Sequence, residues 1–319
     1  MIDNRQAPHF SIARSSRSLG ARFVPLWVKR ALKEGPANAA LNQIRSVRAK
    51  VVTRGLSRDR IFEQSTGDKR ASAAMSIVVP IYDAPIVTQR CLASLERYAE
   101  EAEIVLVNDG SKLPETVAII EQYSQRNGWR VISNVEPTGH SDASWAGAEK
   151  ANRPYLCLLN SDTVVTPWCW RPIQEAFELD PKIGVAGPCT SRSSNRQTLA
   201  VARDCRFEWN DSQICSYAER LQHATLSSPL IDLPWAAGFA FFIRLSLWRE
   251  LRGFDKSLAD YANELELCKR VTASGYRIVC VRRSYIHHLA GQSYGQLMTQ
   301  NEIDQQKLLG CEYVRNKYK

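Results

Sequence analysis

Between residues 76 and 159 short continuous apolar runs alternate with helical stripes, and the runs break on turn residues. Ile77 to Ile81 is mostly β-branched and closed by Pro80, which predicts a buried strand. From Pro85 the period changes: Ile86, Cys91, Leu92 and Leu95 share one helical face, and Arg90, Glu96 and Arg97 the other. Ile104 to Val107 predicts a second buried strand, which ends in the turn Asn108-Asp109-Gly110-Ser111. Strand, helix and strand make a βαβ unit, and such units hold ligands at the carboxyl ends of their parallel strands. Both strands end on polar residues, Tyr82-Asp83 and Asn108-Asp109, so a crevice is expected between them. No GxGxxG follows the first strand, which argues against a nicotinamide dinucleotide.

The pattern continues downstream. A helix is predicted from Pro114, a favoured first-turn residue, to Asn127-Gly128. A third strand follows at Trp129–Ile132, then a small-residue helix over Gly139–Ala151 and a fourth strand at Tyr155–Leu159. Pro172–Leu179 predicts a helix and Ile183–Ala186 a strand. Residues 189–231 carry little period and predict a long mobile connection around a helix near 211–221. Trp235 to Arg244 is apolar around Gly238. Helices at Leu245–Leu251 and Tyr261–Ser274 and a strand at Tyr276–Val281 complete the domain, with a further helix over 296–319.

Charge divides the chain. The first 74 residues hold 15 Lys and Arg against 5 Asp and Glu, out of totals of 42 and 33, so the remainder is nearly neutral. The domain beyond residue 74 is therefore not a polybasic nucleic-acid binder. Within the basic extension, Phe23 and Trp27 lie among Arg22, Lys29 and Arg30. That mixture suits an anionic membrane surface, and it equally suits a packed helical extension or a solvated tail. No apolar run reaches the roughly 18–20 residues of a membrane span, and the N-terminus lacks the apolar core of a secretory signal. The nine cysteines form no CxxC, and Cys91, Cys157, Cys268 and Cys280 fall in apolar segments. They are expected to be reduced core residues of a cytoplasmic protein.

VPIYD followed by VNDGS resembles the nucleotide half of the inverting family 2 glycosyltransferases with the GT-A fold, and in particular bacterial rhamnosyl and O-antigen-type enzymes. The likeness covers roughly residues 75–295, with later motifs in the family's order. It implies an α/β fold: a Rossmann-like mixed sheet flanked by helices over 75–295, after a basic N-terminal extension. Its implied donor is a UDP- or dTDP-linked sugar, its acceptor a glycan or lipid-linked molecule, and its cofactor Mg2+ or Mn2+.

The resemblance also assigns residues. Asp109 matches an Asp that contacts the base, and Pro80 and Tyr82 line it; as a residue alone, Asp109 also reads as a turn former. Asn160-Ser161-Asp162, in LLNSDTVVTPWCW, occupies the place of a DxD motif, which makes Asn160 and Asp162 donor ligands and Asp162 a metal ligand. The first acid is Asn here, so the site brings less charge, and Asp162 alone also reads as a turn cap. Trp235 and Gly238 match the acceptor-lining segment, although a Trp beside an apolar strand also reads as core. Gly253-Phe254-Asp255 and Asn263-Glu264-Leu265-Glu266-Leu267-Cys268-Lys269-Arg270 resemble "GxFDE…GEDxDLCxR". Glu264 falls on the catalytic base, with the alternative of a carboxylate placed for the helix dipole. Glu266 is expected to pair with Arg270 at i,i+4 spacing. Tyr285-Ile286-His287-His288 before Gln292-Ser293-Tyr294 resembles "YVxHxxxxSF", and His288 fits the metal-closing His better than His287. Trp145 stands where the "GxxxAxNxG" helix carries Asn.

Two readings remain beside the enzyme. Asn160 and Asn263 soften acidic motifs and allow a nucleotide-sugar-binding relative without turnover. A nucleotidyltransferase would need a basic phosphate loop after the first strand, and YDAPIV offers neither Lys nor Arg.

Overall fold

The computed structural model describes residues 69–198, 209–224, 226, 228–258, 261–289 and 299–319, all within the compact unit Glu63–Lys319. Phe23, Trp27 and the rest of the basic stretch through residue 68 lie outside the described residues, as does Gln292-Ser293-Tyr294.

A 3-10 turn at Lys69–Ala74 leads into strand β1, Met75–Ile81. Helix α1 (Pro85–Tyr98), β2 (Glu103–Asp109), α2 (Pro114–Asn127) and β3 (Arg130–Asn134) follow. Both helices begin on proline, and α2 ends at Gly128 with φ 67°. The chain continues through α3 (His140–Ala148), β4 (Tyr155–Leu159), β5 (Thr163–Val164), α4 (Trp170–Leu179) and β6 (Ile183–Cys189). Then come α5 (Asp211–Gln222), β7 (Leu230–Asp232), β8 (Ala240–Arg244), α6 (Leu245–Glu250) and α7 (Asn263–Ala273). Strands β9 (Arg277–Tyr285) and β10 (His287–His288) precede α8 (Gln300–Lys317).

Eight strands form one mixed sheet in the order β3-β2-β1-β4-β8-β6-β9-β7. β3, β2, β1 and β4 run parallel, so their carboxyl ends lie along one edge. β8 is antiparallel to both neighbours, which makes β4–β8 the reversal of the sheet. Alternate strand residues feed opposite cores, as the period of two requires. Ile77, Val79 and Ile81 pack with Leu92, Trp170 and Phe177 of α1 and α4. Val78, Phe241 and Ile243 pack with Ala143, Trp248 and Leu267 of α3, α6 and α7.

Three expectations need correction. Ile86 is 80% exposed, whereas the buried face of α1 carries Val87, Cys91, Leu92 and Leu95. At about 100° per residue, Ile86 lies about 140° around the helix from Cys91. The expected mobile stretch from 189 begins as a tight structure: Thr190 bridges Thr198, and Gln197 is fully buried. Later in that stretch, α5 is capped by a reciprocal Asn210–Gln213 box. Finally, β5 and β10 form a separate antiparallel pair of two residues each, which sequence period did not reveal.

Candidate active site

The first wall is made by the turns after β1 and β2. Asp83 and Ala84 both adopt left-handed backbone, with φ 48° and 56°, a strained arrangement for residues other than glycine. Hydrogen bonds hold it in place. Asp83 Oδ1 accepts from the amides of Lys112 at 2.9 Å and Leu113 at 2.8 Å, and its own amide donates to Ser111 Oγ at 3.1 Å. Asn108 Oδ1 caps the same turn by accepting from the Ser111 amide at 3.0 Å. Gly110 has φ 70°, and a Cβ there would meet the Glu136 carbonyl carbon at 2.6 Å, so a glycine is required on both counts. Pro80 and Tyr82 are half-buried at this rim.

Asp109 is 5% exposed and already bonded. Its Oδ1 accepts from Asn134 Nδ2 at 2.8 Å, the Thr138 amide at 2.9 Å and Thr138 Oγ1 at 2.7 Å. Its Oδ2 accepts from the Gly139 amide at 2.9 Å. The carboxylate thus builds the loop that delivers α3, while Oδ2 keeps acceptor capacity for a ligand N–H. Turn building and base contact are compatible roles for one residue.

The second wall stands at the end of β4. The Asn160 amide donates to Phe239 O at 3.0 Å, carrying the β4–β8 pairing one step further. Pairing of β5 with β10 sets His288 against Thr163, and the Leu289 amide donates to Asp162 O at 2.9 Å. His288 Nε2 comes to 3.3 Å from Asp162 Oδ1, and Phe239 stacks on the His288 ring. His288 Nδ1 lies 3.2 Å from Arg192 O, which can only accept, so Nδ1 carries a proton. Nε2 is then the ring nitrogen that faces the carboxylate. A ring nitrogen and a carboxylate oxygen so placed share a proton or a cation between them. An imidazole fixed from behind by a carbonyl and facing a hard oxygen fits a divalent ion. Among the described residues no group of three or more His, Cys, Asp or Glu is placed to cage a metal, so an ion here would depend on water and phosphate for its remaining ligands.

His287 has a different environment. It is 1% exposed, accepts or donates to Tyr285 Oη at 2.9 Å, and stacks on Trp209. Burial pushes its pKa down to about 4, so it is a neutral core residue.

The third wall carries Glu264 in the first turn of α7. Its carboxyl fills the space in front of Gly238, where an added Cβ would lie 1.7 Å from Oε1. Gly238 was expected to let a sugar approach the backbone; here the space is taken by Glu264. Surrounding protein atoms desolvate the carboxyl and raise its pKa, against an opposing pull from His140 at the start of α3. A raised pKa moves a carboxylate toward the range useful for a general base. Trp235 is half-buried and packs against both cores. Its carbonyl accepts from Asn195 Nδ2 at 2.9 Å, while Gln197 Oε1 accepts from the Ala237 amide at 2.7 Å. Asn195 and Gln197 therefore fix the Trp235–Gly238 segment, a role their aperiodic surroundings did not announce.

Glu266 points away from Glu264, as the helical spacing predicts, and is completely buried. Burial opposes its ionisation, but hydrogen bonds from Arg270, Lys317 and Tyr318 hold its pKa below the ordinary carboxylate value. Asn263 is also fully buried. Of the nine cysteines, the eight described are free thiols, and burial raises Cys91 and Cys268 to about 12.

The model of the family described as "Glycosyl transferase family 2" matches residues 76–241, from the start of β1 into β8. The chain belongs to glycosyl transferase family 2. This family 2 chain is 25% identical over 232 residues to the O-antigen biosynthesis protein RfbC of Myxococcus xanthus, covering 69% of this chain and 18% of that protein. It is 31% identical over 85 residues to a poly-beta-1,6-N-acetyl-D-glucosamine synthase of Staphylococcus aureus, covering 27% of this chain and 20% of that one. The chain thus spans about a fifth of the length of each of these two relatives. Its fold resembles that of GalNAc-T7, solved with UDP, GalNAc and Mn2+, at a TM-score of 0.53 and 20% identity over 67% of this chain and 43% of that one. The mixed sheet and its flanking helices are those of the GT-A fold.

Proposed function

We propose that this family 2 chain is an inverting, divalent-metal-dependent glycosyltransferase of polysaccharide biosynthesis. Its donor is a UDP- or dTDP-linked sugar, and its acceptor a glycan or lipid-linked glycan. The observation that carries the reading is the juxtaposition of two unlike sites across the β4–β8 reversal. Asp162 and His288 face one another, with Phe239 stacked on the His288 ring, and Glu264 is packed on Gly238, the residue before Phe239.

Pro80, Tyr82 and Asp109 hold the base, with Asp109 Oδ2 accepting its imide N–H. Asn160 contacts the donor, and Asp162 and His288 hold the metal. A bound Mg2+ or Mn2+ supplies positive charge beside the departing diphosphate. Trp235 offers a ring to the acceptor. Glu264 takes the proton from the acceptor hydroxyl as that oxygen bonds to C1 of the sugar and the C1–phosphate bond breaks, in one displacement with inversion. General-base assistance of this kind contributes roughly 10²–10⁴-fold in rate.

The test is nucleotide release and transfer across a panel of nucleotide sugars with Mn2+. Turnover that needs the metal and inverts the anomeric centre supports the proposal; retention overturns it. A second reading, a donor-binding relative without turnover, is favoured by Asn263, which is buried and neutral where the resemblance expects an acid. Donor binding with no nucleotide release from any sugar would select it.

In the same proposal the basic first 74 residues bring a cytoplasmic domain to an anionic membrane surface, at about 1 kcal/mol per basic residue near the lipid. Among the described residues no helix is long and apolar enough to cross a membrane. Flotation with phosphatidylserine vesicles should carry the full chain but not a chain lacking residues 1–68. Equal behaviour of the two removes the anchor.

A further inference from the structure

The last turn of α8 reaches two acids on different elements. Lys317 Nζ lies 2.6 Å from Asp255 Oδ2 and 2.7 Å from Glu266 Oε1. Tyr318 Oη donates to the same Glu266 oxygen at 2.7 Å, and Tyr313 Oη donates to Asp255 Oδ2 at 2.8 Å. A carboxylate as buried as Glu266 needs its charge matched inside the protein. Arg270 already matches it, with Nε at 3.0 Å and Nη2 at 2.5 Å from Oε2. A second cation on that carboxylate is more than neutralisation requires. What Lys317 adds is a connection between α7 and the loop Gly253–Leu258.

That loop is itself fastened to α3. Ser141 Oγ donates to Leu258 O at 2.8 Å, and Trp145 Nε1 donates to Phe254 O at 3.2 Å. Arg270 Nη2 binds Gly253 O at 2.7 Å from the α7 side. Helix α3 begins with His140, which opposes the rise in the Glu264 pKa, and α7 begins with Asn263 and Glu264 itself. Two elements that flank the Glu264 carboxyl are therefore joined through Asp255, Lys317 and Glu266. Gly310, about two turns back on the same face of α8, packs on the same approach: a Cβ there would sit 2.8 Å from Tyr261 O.

We propose that Lys317 is a positioning residue for the acceptor side, bridging Asp255 and Glu266 so that the start of α7 is held against α3 and Glu264 keeps its aim beside Gly238. It touches neither donor nor acceptor. The inference rests on Glu264 being the base, and it extends the support of that residue to α8.

The experiment compares the full chain with Lys317→Met and Lys317→Arg in two readouts. The first is nucleotide release with Mn2+ and water as acceptor, from whichever UDP- or dTDP-sugar the parent turns over fastest, together with the Kd for UDP–Mn2+. Lys317→Met should lower kcat by about 10–100-fold, the scale of a small misplacement of reacting groups, and leave the Kd within about twofold. Lys317→Arg, which can still bridge two carboxylates, should recover most of kcat. The second readout is amide hydrogen exchange over residues 263–267, which should quicken in Lys317→Met and return in Lys317→Arg. Unchanged kcat with unchanged exchange overturns the proposal, as does a Kd that weakens in step with kcat, since the effect would then be general. A parent that binds UDP–Mn2+ and releases nothing defeats the enzymatic reading instead, and exchange alone then judges the bridge. If Lys317→Met does not fold, Asp255→Asn weakens one end of the bridge, leaves Glu266 its other partners and is judged by the same two readouts.

Discussion

The two sides of the proposed site are built by different means. On the donor side, parallel strands end in turns whose polar side chains are bonded to nearby backbone, as Asp83, Asn108 and Asp109 are. These groups are satisfied before any ligand arrives, so the wall is rigid and its acids are structural as well as available. On the acceptor side, Glu264 is held by the absence of a side chain at Gly238, and its helix is held by residues of α8. Under the proposed function, donor recognition is tied to stability, whereas acceptor activation rests on side-chain aim. Changes on the first side should move folding and nucleotide affinity together; changes at Gly238 or Glu264 should move turnover alone.

The hardest blow to that division is Asp162→Asn, which removes the carboxylate of the Asp162–His288 pair. Metal-dependent nucleotide release should fall by about 10³-fold, the value of several kcal/mol of charge stabilisation. A Mn2+ titration measures it, and turnover equal to the parent's would take Asp162 out of the metal site. Next is Gly238→Ala. Its Cβ collides with the far end of a flexible side chain, so Glu264 should swing aside and the fold survive. Turnover should drop about 10²-fold with UDP–Mn2+ affinity unchanged; a variant as active as the parent would show that Glu264 need not lie there.

Asp109→Ala tests the donor side. It strips partners from Asn134, Thr138 and Gly139, and orphaned donors cost about 1–3 kcal/mol each where they stay buried. A loss of about 2–4 kcal/mol in urea unfolding is expected, together with weaker UDP binding. Lost affinity at full stability would separate the two roles that the proposal joins. The mildest probe is pH. Glu264 must be ionised to take a proton, and desolvation raises its pKa. Turnover should fall as pH drops through a value above the ordinary Glu range of about 4.3, and this limb should vanish in Glu264→Gln. A limb at or below the ordinary value would contradict the desolvated setting.

What could be read in the sequence follows the same division. The strands, helix starts and turn around Asp109 were legible because β-branched runs, proline starts and the Asn108–Ser111 turn are local signals. Ile86 misled because an apolar residue near a stripe is not necessarily on it. Asp162 and His288 were legible through the family resemblance, but the device that joins them, the pairing of β5 with β10, is two residues per strand and has no period to read. Glu264 was legible as a motif position, whereas its packing on Gly238 was not. Gln197, Asn195 and Lys317 act through contacts between segments distant in sequence, and nothing in their own neighbourhoods marks them. Local order is written in composition and period; side-chain aim is written in tertiary contacts.

The most direct test sets Glu264→Gln beside Glu266→Gln, with donor turnover and UDP–Mn2+ affinity measured on both. Gln keeps the shape of Glu264 and cannot take the proton, so turnover should fall by roughly 10²–10⁴-fold while affinity and unfolding temperature stay near the parent's. Glu266→Gln should chiefly lower stability, because its carboxylate serves Arg270, Lys317 and Tyr318. An active Glu264→Gln protein beside a folded but inactive Glu266→Gln protein would contradict the assignment and make Glu266 the base.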